Sequence, residues 1–336
     1  MQLKLMTWNV ENFFPVNVGA GPKTQAEYDA KLATLKSVIR TQNPDVLALQ
    51  EVGDVGHPVP RSLRDLVDAL EGEYKVEIAK LPDGRGIRVA LLIRKTISTT
   101  AQAEVHTLPQ ESPLPIHDIE GHPLTEMGRG AVHARVQIGG KTIHVITAHL
   151  KSKLLEFPGG RFSTNDEGLR LRVADAALIR RAAEAGAIRN AVSAILNSAS
   201  ASESVVVMGD LNDEALAATT EMLYGPPGSQ PGTGGFDPAD AGDAQRLFNV
   251  TGLIAPERRY SRVFQGKKEL IDHILVSAGL VPQQSKGHKF HPVVDSLVDY
   301  GAGGEAGGLP SITEAPQERQ GKPASDHAPV VATFQI

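Results

Sequence analysis

The sequence predicts an α/β fold, because short apolar segments typical of strands alternate with helical segments along the chain. Nine segments are rich in Val, Ile and Leu and have the length of strands buried on one or both faces. Three other segments repeat apolar residues at helical spacing. No point divides the strand pattern into two self-sufficient halves, so we expect one domain over residues 1–336.

The predicted strands are, in chain order, Leu3–Trp8, Asp45–Gln50, Tyr74–Ala79, Arg88–Lys95, Ala131–Ile138, Thr142–Leu150, Ser204–Gly209, Leu270–Ser277 and Ala328–Ile336. The predicted helices cover Leu32–Ile39, Arg61–Leu70 and, most plainly, Gly168–Asn197. Two segments dense in Gly and Pro, 224–242 and 301–323, predict loop insertions. We expect both to be surface loops of the single domain.

The composition limits the classes of partner and metal site. Lys and Arg number 34 against 39 Asp and Glu, which gives a formal net charge of −5. A protein that coats nucleic acid is usually basic, so contact with nucleic acid would need a local basic patch or a metal site. The chain has no cysteine, which excludes disulfides and thiolate metal sites.

Neither a signal peptide nor a membrane span is predicted. Residues Met1–Trp8 run directly into a strand pattern, without the charged, apolar and cleavage regions of a secretory signal. No window reaches 18 uncharged apolar residues. We therefore expect a cytoplasmic protein without a membrane anchor, and secretion after removal of a leader stays an open alternative.

Polar side chains repeatedly stand at the ends of the predicted apolar strands. In chain order these are Asn9, Glu11, Glu51, His149, Asp210, Asn212, Asp272, His273, Asp326 and His327. Sites in layered sheet proteins are built from strand ends and the loops beyond them. We therefore expect most of these side chains to meet at one edge of the fold.

These residue types suit the hydrolysis of a phosphate ester. Carboxylates without thiols favour a hard cation such as Mg²⁺ or Mn²⁺, with Glu51 and then Asp326 as the best predicted ligands. Such an ion can polarise a phosphoryl oxygen. Histidines beside the phosphate can stabilise charge or transfer protons, and an Asp-x-Asn pair such as Asp210 and Asn212 can orient a water.

Each of these residues taken alone also has a simpler structural explanation. Asn9 and Glu51 can cap turns, and Asp210–Asp213 can form a turn or begin a helix. His149 can be a hydrogen-bonded core residue, and His273 would face away from Asp272 on its strand, so we leave it out. The recurrence of such residues at strand ends favours the functional interpretation.

Six strings in the sequence resemble, in order, the motifs of the endonuclease/exonuclease/phosphatase family. They are TWNVENF, DVLALQEV, TAHLKSK, GDLND, LIDHILVS and SDHAPV. This family includes DNase I, abasic-site endonucleases, sphingomyelinases and inositol-polyphosphate phosphatases. The order and spacing match from residue 3 to residue 334. The resemblance implies a four-layer α/β/β/α sandwich with two central mixed sheets and a metal site at one rim.

The resemblance also implies a metal site and its ligands. Glu51 would bind Mg²⁺, for which Mn²⁺ is a candidate substitute, and Glu11 and Asp326 would lie near or on the ion. Asn9 would lie beside the ion and contact the substrate. Arg129 stands where family members often place a residue that contacts the phosphate, and Lys151 directly follows the TAHL string. These last three residues are therefore the predicted substrate-binding residues.

Five further residues are predicted to be catalytic from the same resemblance. Asp210 would position or deprotonate the attacking water, and Asn212 would hold the water and the phosphate. His327 would contact the scissile phosphate, and Asp272 would fix its tautomer by a hydrogen bond. His149 matches the additional histidine of the DNase I-like and sphingomyelinase-like branches.

Departures from the family motifs bear on the substrate. Inositol-polyphosphate phosphatases have a Trp-Cys-Asp-Arg-like string where this chain has Glu269–His273, and an Arg soon after the residue that matches Asn212. The sequence therefore favours DNA or RNA phosphodiesters as substrate. A phosphomonoesterase or a lipid or small-molecule phosphodiesterase on the same scaffold is the alternative. A non-catalytic binding module is disfavoured because the predicted residues are intact, and no obligate protein partner is evident.

Overall fold

The computed structural model describes residues 1–54, 57–80, 82–109, 116–198, 203–233, 236, 240–281, 292–301 and 308–336. In chain order the strands and α-helices are β1 Gln2–Phe13, α1 Gln25–Gln42, β2 Val46–Gly53, α2 Arg61–Ala69, β3 Tyr74–Ile78, β4 Ile87–Arg94, β5 Ser98–Thr107, β6 Glu126–Ile138, β7 Lys141–His149, α3 Glu167–Ser198, β8 Glu203–Asp210, α4 Ala218–Tyr224, β9 Leu247–Asn249, β10 Arg262–Phe264, β11 Lys267–Glu269, β12 Asp272–Ser277, β13 Val293–Ser296, β14 Ser311–Ile312 and β15 Val330–Gln335. Short 3₁₀ helices cover Asp243–Gln245, Val250–Leu253, Pro256–Arg258, Ala278–Leu280 and Pro316–Arg319.

Two mixed six-stranded sheets form the centre of the fold. The first has the strand order β13-β15-β1-β2-β4-β3, and the second has the order β5-β6-β7-β8-β12-β9. In the first sheet β1 and β2 are parallel, and in the second β7 and β8 are parallel, whereas the other pairs are antiparallel. A small third sheet joins β11, β10 and β14.

Three large clusters of apolar residues pack the sheets and helices against one another, and a small fourth cluster contains Tyr260, Val298 and Ala328. One cluster fills the space between the two sheets, a second packs the first sheet against α1 and α2, and a third packs the second sheet against α3 and α4. Strand β1 shows the reason: Leu3 and Leu5 face the central cluster, whereas Met6, Trp8 and Val10 face the helices. The predicted four-layer α/β/β/α sandwich is therefore confirmed.

Helix α1 has clear chemical boundaries at both ends. The side chain of Thr24 accepts a hydrogen bond from the backbone N–H of Glu27 at 3.2 Å, and the Glu27 carboxylate accepts one from the backbone of Thr24 at 3.1 Å. At the other end Asn43 adopts a left-handed conformation with φ of 51°, directly before Pro44.

Several elements carry little apolar signal and were not predicted. Strand β5 pairs with β6 along its length, but most of its side chains are exposed and lack a Val/Ile/Leu run. The segment 301–323 contains β14 and the 3₁₀ helix Pro316–Arg319, and residues 302–307 lie outside the described residues. In the segment 224–242, residues 234, 235 and 237–239 lie outside them too. Among the described helices, none combines the length and apolar character that a membrane span requires.

Candidate active site

Strand register brings polar residues of both sheets to one edge of the sandwich. In the second sheet Asp210 at the end of β8 is paired with His149 of β7 on one side and with Asp272 of β12 on the other. In the first sheet Asn9 of β1 is paired with Gln50 of β2, so that Asn9 and Glu51 become neighbours. Parallel strands end at the same edge, so these side chains are gathered by the sheet topology itself.

Gly209 allows β7 and β8 to approach closely next to this edge. Its φ is 154°, and a Cβ atom at this position would lie 1.9 Å from the backbone oxygen of Ala148. Any larger residue would therefore push the two strands apart. The glycine of the GDLND string thus maintains the pairing of His149 with Asp210.

Four non-glycine residues at the strand ends have a left-handed backbone. Their φ values are 50° at Glu11, 52° at Asn12, 61° at Glu51 and 53° at Asn212. Such conformations cost free energy for residues with a Cβ atom and persist only where the surrounding structure fixes them. Three of the four, Glu11, Glu51 and Asn212, are residues that the sequence predicts to be functional.

The carboxylate of Asp210 connects the two sheets. Its Oδ2 lies 3.3 Å from Nε2 of His149 and 4.0 Å from Nε2 of His327, and it accepts a hydrogen bond from Asn9 Nδ2 at 3.0 Å. Its Oδ1 accepts a hydrogen bond from the backbone N–H of Asn212 at 2.9 Å. One buried oxygen atom thus faces two imidazole rings and an amide.

Burial and the neighbouring Asp272 raise the pKa of Asp210 to about 6, against the opposing effect of His327. Burial lowers the pKa of His149 well below its ordinary value, and the nearby Arg129 and His327 act in the same direction. At neutral pH the structure therefore holds a neutral His149 against a carboxylate whose proton affinity suits proton transfer.

His327 is oriented by three hydrogen bonds. Its Nδ1 lies 2.7 Å from Oδ2 of Asp272, its carbonyl oxygen accepts from Trp8 Nε1 at 3.0 Å, and its N–H donates to Ser325 Oγ at 3.1 Å. Burial alone would lower the pKa of His327, but Asp272 and Asp326 outweigh it and raise the pKa to about 10. The ring is therefore protonated at neutral pH and presents Nε2–H toward Asp210.

Glu51 lies at the edge of the first sheet with its carboxylate held by neutral donors. Its Oε1 accepts a hydrogen bond from Asn9 Nδ2 at 3.2 Å, and its Oε2 accepts one from the backbone N–H of Asn12 at 3.0 Å. Each oxygen therefore has one neutral donor and keeps coordination capacity. Glu51, Asn9, Glu11 and Asp326 line the same cleft, and carboxylate and amide oxygens fit a hard divalent cation.

Glu11 has a cationic partner that the sequence did not predict. Arg319 Nε donates to Glu11 Oε1 at 2.7 Å, and Arg319 Nη2 donates to Oε2 at 3.0 Å. The backbone N–H of Asp326 also donates to Oε2 at 3.0 Å. Burial and Asp326 raise the pKa of Glu11 to about 7, against the effects of Lys31 and Arg319. No sequence pattern marks Arg319, which lies with other charged residues in the predicted loop 301–323.

Lys31 is a second cation that the sequence analysis missed. It is only 3% exposed, and its Nζ donates to the carbonyl of Lys322 at 3.4 Å. Burial lowers the pKa of Lys31, against the attraction of Glu11, Asp326 and other charges. Lys31 lies on the buried face of α1 between Tyr28 and Leu35. A charged residue within the apolar stripe of a helix is the sequence signal that could have identified Lys31.

Ten of the eleven predicted site residues line one cleft with a volume of about 1240 Å³. They are Asn9, Glu11, Glu51, Arg129, His149, Lys151, Asp210, Asn212, Asp326 and His327. Asp272 is fully buried behind His327 and does not line the cleft. His273 faces away from Asp272, and its Nε2 lies 2.9 Å from the carbonyl oxygen of Asp213. This agrees with the exclusion of His273 from the predicted site.

Asp210, Asp272 and His327 also form a compact group, because one ligand atom from each lies within 4.8 Å of the others. His327 Nδ1 lies 2.7 Å from Asp272 Oδ2 and the pKa of the ring is raised to about 10, so a metal ion at this ring would have to compete with a proton. The geometry therefore suits this group to proton transfer and contact with an anion.

Comparisons with known proteins agree on one fold. A family model described as "Endonuclease/Exonuclease/phosphatase family" matches residues 6–327, and no curated protein sequence matches. The structure of TDP2 from Caenorhabditis elegans is 17% identical, with a TM-score of 0.57 over 100% of this chain and 76% of that one.

Two further solved structures are similar over most of their length. The human Nocturnin catalytic domain with bound sulfate anion is 14% identical, with a TM-score of 0.56 over 99% of this chain and 94% of that one. D. rerio TDP2 complexed with single strand DNA product is 16% identical, with a TM-score of 0.53 over 100% of this chain and 99% of that one. At these identities the similarity establishes the fold.

Proposed function

Because the chain belongs to the endonuclease/exonuclease/phosphatase family of metal-dependent phosphoric ester hydrolases, we propose that it hydrolyses phosphodiester bonds of nucleic acid with Mg²⁺. The observation that carries this proposal is the position of the Asp210 carboxylate. It lies 3.3 Å from His149 and within 4.0 Å of a protonated His327. It is also linked through the Asn9 amide to Glu51, the foremost candidate metal ligand.

Glu51 and Asp326 would hold the ion, with Glu11 and Asn9 beside them. Their oxygen donors suit Mg²⁺, and Mn²⁺ as a substitute. When bound, the ion would offset the negative charge of the phosphate and polarise one of its oxygens. The Arg319 pair occupies both oxygens of Glu11, so Glu51 and Asp326 are the stronger candidates for direct ligation.

Asp210 would accept the proton of the attacking water. A pKa of about 6, raised by burial and Asp272, leaves the carboxylate largely ionised at neutral pH and basic enough to assist proton removal. Asn212 is fixed by donation from its Nδ2 to the carbonyl of Leu150 at 3.0 Å, and its side-chain oxygen would help to orient the water.

His327 would donate from Nε2 to a phosphate oxygen. Asp272 fixes the tautomer through Nδ1 and keeps the ring charged, which strengthens a hydrogen bond to an anion. His149 has a buried Nδ1 without a hydrogen-bond partner among the described residues. As a neutral ring beside Asp210, it would contact the water or the phosphate.

Nucleic acid is the proposed substrate because a group of cations lies on one wall of the cleft despite the negative net charge. Arg85, Arg129, Lys151 and Arg180 form this group, and carboxylates line other parts of the cleft. The similar D. rerio TDP2 structure contains a single strand DNA product, which agrees with this choice at the level of the fold.

A phospholipid or other apolar diester is the second candidate, supported by one observation. Leu154, Leu155, Phe157 and Phe162 line the cleft in the segment that follows β7. Such side chains can contact an apolar leaving group as well as a nucleobase.

A substrate panel tests the proposal. Supercoiled plasmid, single-stranded DNA, single-stranded RNA, a bis-nitrophenyl phosphate and sphingomyelin vesicles would each be incubated with Mg²⁺, Mn²⁺ or EDTA. We expect cleavage of DNA or RNA that requires the divalent ion. Intact nucleic acid together with turnover of sphingomyelin or of the bis-nitrophenyl phosphate would overturn the nuclease proposal.

A further inference from the structure

Four cationic side chains come together on one wall of the cleft. Arg85 precedes β4, Arg129 lies on β6, Lys151 follows β7, and Arg180 projects from α3. Shared carboxylates bring them together, because Asp83 contacts Arg85 and Arg129, and Glu184 contacts Arg180 and the backbone of Lys151. Burial, Arg129, Arg85 and Arg180 lower the pKa of Lys151 to about 8, which agrees with this arrangement. We refer to these four residues as the cation cluster.

Two carboxylates neutralise only part of this cluster. Asp83 Oδ2 lies 3.0 Å from Arg129 Nε and 4.0 Å from Arg85 Nε, so it serves two guanidinium groups. Glu184 pairs with Arg180 at 3.2 Å. Four positive charges against two negative ones leave a local surplus in a chain whose net charge is −5.

Glu184 does not take Lys151 as an ion-pair partner. Its oxygens accept hydrogen bonds from the backbone N–H of Gly128 at 2.9 Å and from that of Lys151 at 2.7 Å. The ammonium group of Lys151 has no hydrogen bond or ion pair with any residue in the described part of the chain. A half-buried cation without a partner is costly, and an anionic ligand would offset that cost.

Several cations elsewhere in the cleft have close acidic partners. Lys153 lies 2.8 Å from Asp213, and Arg262 lies 2.7 Å from Glu269. Arg319 is held by Glu11. The cation cluster is therefore distinct from the ordinary ion pairs around it.

The cation cluster lies next to the reacting groups. The carbonyl of Leu150, the residue after His149, accepts hydrogen bonds from Arg129 Nη1 at 3.3 Å and from Asn212 Nδ2 at 3.0 Å. Arg129, Arg85 and Lys151 also lower the pKa of His149, in addition to burial. An anion bound at the cluster would thus sit beside a phosphate held by His149 and His327. Arg129 is 8% exposed and fixed by Asp83 and by the carbonyl of Leu150 at 3.3 Å, so part of this wall is preorganised.

We propose that Arg85, Lys151 and Arg180, together with Arg129, form a subsite for a second phosphate group of the same substrate. This inference rests on the proposed function and narrows it to substrates in which a phosphate flanks the scissile bond, as in a polynucleotide. A phospholipid with one phosphate would leave the subsite empty. Paired charge-assisted hydrogen bonds from Arg and Lys are the usual means of binding such a group.

The cleft also continues beyond the cation cluster. A side cavity of about 400 Å³ shares Asp83, Gly84, Gly128 and Arg180 with the main cleft, which leaves room for further substrate. The carboxylates Glu104 and Glu126 line this cavity as well. We therefore expect the second phosphate at the cluster itself and not inside the cavity.

Calorimetric binding of mononucleotides in EDTA tests the subsite without depending on catalysis. Thymidine 3′,5′-bisphosphate would be compared with thymidine 5′-monophosphate and thymidine 3′-monophosphate. We expect the bisphosphate to bind at least about tenfold more tightly than either monophosphate, which is the gain in affinity expected from one additional charge-assisted hydrogen bond. Lys151→Met and the exposed Arg85→Met should each reduce this advantage to about threefold or less. Lys153→Met should keep the full bisphosphate advantage, because Lys153 is already paired with Asp213.

Equal affinity for bisphosphate and monophosphates in the wild type would overturn the subsite. So would an advantage that survives in both Lys151→Met and Arg85→Met. Metal-dependent cleavage of nucleic acid without a bisphosphate advantage would refute the subsite and leave the proposed function standing. A bisphosphate advantage without any nuclease activity would support the subsite and remove the proposed function.

Discussion

Arg319 holds the carboxylate of Glu11 in a two-point ion pair, with nitrogen–oxygen distances of 2.7 and 3.0 Å. The same guanidinium also donates to the carbonyl of Ala324 at 2.7 Å, close to Asp326 in the chain. The chain thus places an internal cation beside the carboxylates that we assign to the metal ion. Arg319 should limit how strongly that site attracts a divalent cation.

Replacing Arg319 with Met should make the fold depend more on the metal ion. Removal of Arg319 leaves the buried charge of Glu11, whose pKa is already raised to about 7, without its closest cation. For buried pairs in general this costs about 3–5 kcal/mol, and less where the carboxyl takes up a proton. A divalent ion can offset this charge. We expect a lower melting temperature in EDTA and a larger rise on adding Mg²⁺ than in the wild type. Arg258→Met, at an exposed ion pair, is the control. The same Mg²⁺ response in Arg319→Met and wild type would contradict the prediction.

Replacing Asp272 with Asn should slow the reaction without changing the need for metal. Asp272 touches His327 and does not line the cleft, so its effect on substrate should pass through the orientation and charge of that ring. We expect kcat to fall by about 100-fold or more. The Mg²⁺ concentration for half-maximal activity should stay within about twofold. Asp295→Asn, at a surface ion pair with Arg258, provides the matched control, and a wild-type kcat in Asp272→Asn would remove the assigned role.

The half-buried pair of His133 and His144 should make stability depend on pH. Their ring nitrogens are 3.0 Å apart, and burial together with His144 lowers the pKa of His133 from 6.5 to about 4. The folded state therefore binds fewer protons than the unfolded state between these values. Stability should be lost as pH falls from about 6.5 toward 4, and the loss should level off below that.

Denaturant unfolding of wild type and His133→Gln at pH 7.5 and pH 5 measures this effect. The wild type should lose about 1–3 kcal/mol more than the variant over that interval. His106→Gln, at an exposed histidine, should behave like the wild type. An equal loss in wild type and His133→Gln would show that this pair is not the cause.

Replacing Gly209 with Ala should disturb the fold and the site together. The added Cβ would meet the backbone oxygen of Ala148 at 1.9 Å, and backbone cannot move aside as a flexible side chain can. We expect a loss of unfolding free energy of about 3 kcal/mol or more, on the scale of severe steric strain. Gly308→Ala should be nearly neutral, because no atom of the described residues lies within 4 Å of its Cβ position. A stable Gly209→Ala protein with unchanged activity would contradict the prediction, because it would show that β7 and β8 can accommodate the added Cβ atom.

The strand-end residues could be predicted from the sequence because two signals coincide there. Apolar runs locate the strands, and a polar residue directly after such a run must lie at a sheet edge. Asp210 and Glu51 are found in this way. The hydrogen bond between Asp272 and His327 was implied by the family resemblance, and the register of β8 with β12 explains why Asp272 is within reach.

The cations around the site could not be predicted in the same way. Arg319 lies in a segment rich in Gly and Pro, and Arg85 lies in a turn, so no periodicity marks either residue. Arg180 is one of many charged residues on α3, where helical spacing alone does not tell a cleft wall from a solvated face. Their partners are distant in sequence, and only the packing of the layers brings them together.

Cleavage of labelled DNA and RNA oligonucleotides by wild type and Asp210→Asn tests the central claim most directly. Both proteins would be compared under single-turnover conditions with Mg²⁺ and with EDTA. We predict that wild type cleaves at least one of the two polymers only with Mg²⁺. Asp210→Asn should cleave that polymer at least about 100-fold more slowly. A wild-type rate in Asp210→Asn, or cleavage by the wild type that persists in EDTA, would contradict this account.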